Sequence, residues 1–173
     1  MSKHSTVAHL VREAASQGPS FVRANRDPVL LVEDEAQRGE QIYAERTVQL
    51  EEMSSGEIQN ISTARVVPVK KQRSLGSDRI LLGRGRENDV VLALKSVSRL
   101  HAFFRSGTAG IWTLEDAGST YGTYVRNVRI TSGVVRALAD NTPVRFGSVD
   151  AVFRTPDGLY EFLRRLAGML EGH

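Results

Sequence analysis

Residues 95–104 read KSVSRLHAFF, a polar run that passes straight into three apolar residues. Ser98 and Arg99 stand just ahead of His101, and Ala102, Phe103 and Phe104 follow it. Two readings compete: a serine nucleophile with its histidine base, or a polar loop feeding a strand. A catalytic pair needs a third group to orient the imidazole, and no recognisable motif supplies one. The loop-to-strand reading therefore stands. Because successive strand residues face opposite sides, either Phe103 or Phe104 enters the core, not both.

The surroundings repeat that pattern. From about residue 63 the chain is a series of short runs: ARVVPVKK, DRILLGR, DVVL, HAFFR, GIWTLED, GTYVR, VRIT, PVRFG and VDAVFRT. They alternate apolar with polar residues and are broken by Gly, Asn, Asp or Pro, the pattern of an antiparallel β-sandwich or barrel. No helix of crossover length separates them, which argues against a parallel α/β sheet.

The flanks differ. Val7, Leu10, Val11, Ala14 and Ala15 recur at helical spacing, with Thr6 placed to cap and Gly18 and Pro19 to stop the helix. VLLVEDE and QIYAERTVQLEE read as strands either side of a turn near Gly39, and MSSGEIQNIS reads as loop. After Pro156, the residues Leu159, Phe162, Leu163, Leu166, Met169 and Leu170 form an apolar helical stripe, expected to cover an edge or end of the sandwich. The chain thus divides into an N-terminal extension (1–62) packing on the main domain, a β-domain (63–157) and a C-terminal helix (158–173).

Composition narrows the function. The 173 residues include no cysteine, which removes disulfides and thiolate chemistry and fits a reducing compartment. No run approaches the ~20 apolar residues that span a bilayer, and the N-terminus lacks a signal-peptide core, so a cytoplasmic protein that does not engage the membrane is expected. The net charge of +3 conceals an acidic first part and a basic remainder, where an anionic ligand would settle. The basic residues lack interleaved aromatics, so no nucleic-acid partner is expected. Histidines 4, 9 and 173 lack metal-ligand spacing, and neither a metal nor another cofactor is expected.

Three loop segments are rich in phosphate-capable donors: GRGRENDV (83–90), SVSRLHA (96–102) and DAGSTYGT (116–123). GRGRENDV lacks the third glycine and the following helix of a dinucleotide loop. Taken in order, with Trp112, Leu114 and Asp116 between the second and third, the segments resemble the forkhead-associated (FHA) domain family: Gly-Arg, then Ser-Arg-x-His, then Gly-Ser-x-Asn-Gly-Thr. LADNTPVRFG extends the likeness, with Asn141 where the family has glycine. The resemblance implies an all-β fold, an eleven-stranded antiparallel β-sandwich, here with an N-terminal helix/strand extension and a short C-terminal helix. It also implies a non-enzymatic module that binds phosphothreonine peptides through the loops at one end, recruiting a partner after a Ser/Thr protein kinase has acted.

Carried over residue by residue, the resemblance makes Arg84 the principal phosphate cation. Ser98 and Thr120 become hydroxyl donors, and Arg99 a source of charge or a contact to the peptide backbone. His101 then turns inward to hold the loops in register, supported by Gly83, Gly118 and Gly122, which permit tight turns and close backbone approach. Trp112 reads as core. Tyr121 departs from the pattern, standing where the family has asparagine: a phenol does not offer that amide's paired donor and acceptor. The alternative function is therefore a phosphate-independent protein–protein scaffold that kept the fold. Arg126-Asn127 replaces an Asn-Gly turn, which implies a strained arginine if the hairpin is kept.

Overall fold

A computed structural model describes residues 6–32, 63–72, 77–107 and 110–171. The strand expected at QIYAERTVQLEE, the loop at MSSGEIQNIS, the acidic end of VLLVEDE, His4 and His173 lie outside these residues. Eleven strands are described: β1 (Val29–Val32), β2 (Arg65–Pro68), β3 (Ile80–Gly83), β4 (Val90–Val91), β5 (Ala102–Ser106), β6 (Trp112–Asp116), β7 (Thr123–Val125), β8 (Val128–Arg129), β9 (Val135–Leu138), β10 (Thr142–Phe146) and β11 (Val149–Arg154). The helices are α1 (Val7–Gln17), α2 (Ser20–Ala24) and α3 (Pro156–Glu171).

The strands form two sheets, ordered β2-β1-β11-β10-β7-β8 and β4-β3-β5-β6-β9. The pairings are antiparallel except β3 with β4, which runs parallel through Leu82↔Val90 and Gly83↔Val91. Between the sheets lies the main core, where Phe104, Leu114, Phe146 and Phe153 are fully buried. Phe104 is thus the inward member of its pair, while Phe103 is half-buried under the Arg79 guanidinium, 4.6 Å from the ring centroid. Trp112 packs against this core, 6.2 Å from the Phe153 ring.

β1 explains the rest of the architecture. All four of its residues are buried, because Leu30 and Val32 face the inter-sheet core while Val29 and Leu31 face outward. Those outward residues need an apolar cover, and α1 and α3 supply it through Leu10, Val11, Phe162, Leu163 and Leu166. α3 therefore lies on the outer face of the six-stranded sheet and not on the edge or end expected for it. Arg65 to Pro68 pair with β1 on one side and Ala151 to Arg154 on the other. The strand supplied by Val29–Val32, on the N-terminal side of residue 63, is thus internal to the sheet.

Local chemistry sets the element ends. Thr6 occupies the α1 N-cap position, yet its side chain makes no capping bond; its carbonyl accepts from Leu10 N–H at 3.2 Å. The α3 start is better satisfied, since Thr155 Oγ1 accepts from Gly158 N–H at 3.2 Å and Asp140 accepts from Thr155 N–H at 2.8 Å. Arg126 and Asn127 both adopt positive φ, 49° and 63°, so the β7–β8 hairpin closes through the primed turn that the sequence implied.

Candidate ligand-binding site

Five connections meet at one end of the sandwich: residues 84–89, 92–101, 117–122, 130–134 and 147–148. Backbone bonds join the first two, with Arg84 N–H donating to Ser98 C=O at 2.9 Å and Gly85 N–H to Arg99 C=O at 3.1 Å. Buried Asn88 reinforces the seam: its Nδ2 donates to Gly85 C=O at 2.8 Å and to Arg99 C=O at 2.6 Å. Gly83 is required at this approach, because a Cβ there would collide with the Arg99 carbonyl.

His101 joins the second connection to the third. It is fully buried, and its Nδ1 accepts from Ser98 N–H at 3.0 Å. The acceptor role leaves the proton on Nε2, which donates to Gly122 C=O at 3.2 Å. Burial holds the imidazole below its ordinary pKa, against the opposing pull of the Gly122 carbonyl and the Asp116 charge. Gly122 C=O also accepts from Gly147 N–H at 3.0 Å, so three connections meet on one carbonyl.

Asp116 organises the third connection. Its Oδ2 accepts from Gly118 and Ser119 N–H at 2.9 and 3.0 Å, and its Oδ1 from the Ser119 and Thr123 hydroxyls at 2.6 Å each. Burial alone would raise this carboxyl's pKa; the hydrogen bonds outweigh burial and bring it below the usual value. Asp89 does the same behind the first connection. Burial is again outweighed there, by bonds from Leu81 and Gln72 N–H and by Lys71 at 3.2 Å. Gly118 and Gly122 both take left-handed φ, 80° and 83°, which side chains rarely adopt.

On this frame the expected ligand residues fall in two groups. Ser98 and Thr120 meet directly: Thr120 N–H donates to Ser98 Oγ at 3.1 Å, and the two hydroxyls lie 3.4 Å apart. Arg84 and Arg99 adjoin Ser98 through their backbones and are exposed, as are Thr120 and Tyr121. His101 and the three glycines lie beneath them or at the turns. Asn88, Asp89 and the carboxylate of Asp116 were not recognisable as framework from the motifs. Only Asp116 carried a local signal, a serine three residues on, as in an Asx turn.

Residues 80–147 match the FHA domain family. That span of the chain is similar to an FHA domain. A 74-residue stretch is 35% identical to the FHA domain-containing protein FhaB of Mycolicibacterium smegmatis, and equally to FhaB of Mycobacterium tuberculosis (strain ATCC 25618 / H37Rv). The match takes in 43% of this chain and 46% of each relative, so it spans about half the length of these curated proteins. Among solved structures, the FHA domain of CT664 protein from Chlamydia trachomatis superposes with a TM-score of 0.50 at 19% identity, covering 74% of this chain and 96% of that one. That likeness is one of fold.

Proposed function

We propose that this protein is a phosphothreonine-peptide reader that recruits a partner phosphorylated by a Ser/Thr protein kinase. In this reading it acts in the cytoplasm and without a cofactor, as a binding module and not an enzyme. The observation that carries the reading is the meeting of Ser98 and Thr120, at 3.1 and 3.4 Å, next to exposed Arg84, whose backbone N–H bonds Ser98 C=O at 2.9 Å. Ser98 Oγ accepts from the Thr120 amide and donates to Thr120 Oγ1 only at 3.4 Å, a long bond for two hydroxyls that a phosphate oxygen would replace. A phosphate carries about −1.5 to −2 charges at neutral pH and several acceptor oxygens. It suits a guanidinium and two hydroxyls presented by separate loops on a rigid base. Arg99 adds charge or contacts the peptide backbone, and the Tyr121 ring, 61% exposed, forms the rim.

The same ring favours a second reading, a scaffold that binds unmodified protein through Tyr121. Fluorescence polarisation separates the two, using a phosphothreonine peptide library with matched unphosphorylated and phosphoserine pools. For a reader, binding is confined to phosphopeptides, and Arg84→Ala weakens it by about 2 kcal/mol or more, roughly thirty-fold. Phosphothreonine should exceed phosphoserine by about 1 kcal/mol, the worth of one enclosed methyl. Binding that ignores phosphatase treatment and Arg84→Ala would establish the scaffold instead.

A further inference from the structure

Arg129 belongs to none of the three loop motifs, yet the β7–β8 hairpin carries it back toward the ligand end. The turn at Arg126-Asn127 pairs Tyr124 with Arg129, and Ile130 N–H donates to Thr123 C=O at 2.8 Å. The Arg129 guanidinium then lies against Gly122: a Cβ added to that glycine would stand 2.6 Å from Nε. Arg129 is exposed, and its side chain has no hydrogen-bond or carboxylate partner among the described residues. Arg129 therefore adjoins the loop in which Thr120, bonded to Ser98, and exposed Tyr121 immediately precede Gly122.

A ligand held at this loop finds little backbone recognition from Tyr121, which offers a ring face and a single hydroxyl. The second anchor available to it is charge. We propose that Arg129 reads a second anionic group on the phosphopeptide, a carboxylate or another phosphate close to the phosphothreonine, and so makes the site selective for doubly anionic segments. This rests on the phosphothreonine reading above and extends it to the peptide sequence. An exposed ion pair of this kind shifts affinity by roughly two- to five-fold, and salt screens it.

The test is a set of fluorescein-labelled phosphothreonine peptides in which each flanking position in turn is Ala, Asp, Glu or phosphoserine, each with its unphosphorylated-threonine control. Binding is measured to wild type, Arg129→Gln, Arg129→Lys and Arg84→Ala. Wild type should favour an anion at one or two positions by about two- to five-fold, more at low salt than at high. Arg129→Gln should bring that ratio to about one, Arg129→Lys should retain part of it, and thermal melts should show both variants folded. Phosphothreonine-dependent binding with no anionic preference, or a preference that survives Arg129→Gln, overturns the role of Arg129 while leaving the reader intact. Equal binding of phosphorylated and unphosphorylated peptides overturns both.

Discussion

At the scale of single residues, the loops of the candidate site depend on buried groups that never reach the surface. His101 is the clearest case, because both ring nitrogens are committed in the neutral form. A proton on Nδ1 would abolish the bond from Ser98 N–H and place a buried cation in the frame. Its folded pKa is depressed, so the unfolded chain takes up a proton first. His101 therefore contributes stability that is full above about 6.5, the ordinary imidazole value, and is lost as the pH falls through the folded value. Urea unfolding at pH 7.5 and 5.5, with an NMR titration of the His101 ring, checks this; a midpoint at or above 6.5 would contradict it. Asp116→Ala should cost about 2–4 kcal/mol in the same assay, since the Thr123 hydroxyl and two loop amides lose their acceptor. Exposed Arg84 and Thr120 and half-buried Ser98, the residues proposed to hold the ligand, stood out in the sequence because their types and spacing form a motif. Asn88 and Asp89 were not, because their partners are amides and carbonyls from distant segments, which no local pattern records.

Elements were legible where alternation was strong and one face was buried. Thus the runs from 63 onward matched β2 to β8, β10 and β11, whereas Val135–Leu138 went unread: its first three residues are exposed, so burial imposes little alternation on it. The position of α3 was also hidden, since an apolar stripe states that a face is covered without stating by what. The β7–β8 hairpin offers a test at this scale. Arg126 holds φ 49°, a conformation that strains an L-residue by about 1–2 kcal/mol. Arg126→Gly should raise stability by about 0.5–1 kcal/mol after the entropy of the freer unfolded chain is counted. Asp140→Ala should act in the opposite sense. It leaves the Arg154 guanidinium, now 2.8 Å from Asp140 and stacked on Phe162, buried without its carboxylate, at a cost of about 3 kcal/mol.

For the whole molecule, the informative feature is the place of Val29–Val32 between β2 and β11. A fragment beginning at residue 63 keeps the three loop motifs and loses the strand that joins β2 to the rest of its sheet. It should show no cooperative unfolding transition and poor amide dispersion by NMR, whereas a fragment that keeps β1 and α1 should fold. The motifs pointed to the loops of the proposed ligand site, but sheet membership is a matter of pairing between remote segments, and Val29↔Arg154 lies beyond any sequence window. That pairing also orders events during synthesis. α1 and β1 leave the ribosome before the rest of the sheet, yet this internal strand has no neighbour on its β11 side until Val149–Arg154 has emerged. The sheet is therefore completed only once Val149–Arg154 is out, and until then the apolar VLLV segment is an exposed stretch of the nascent chain for a chaperone to cover.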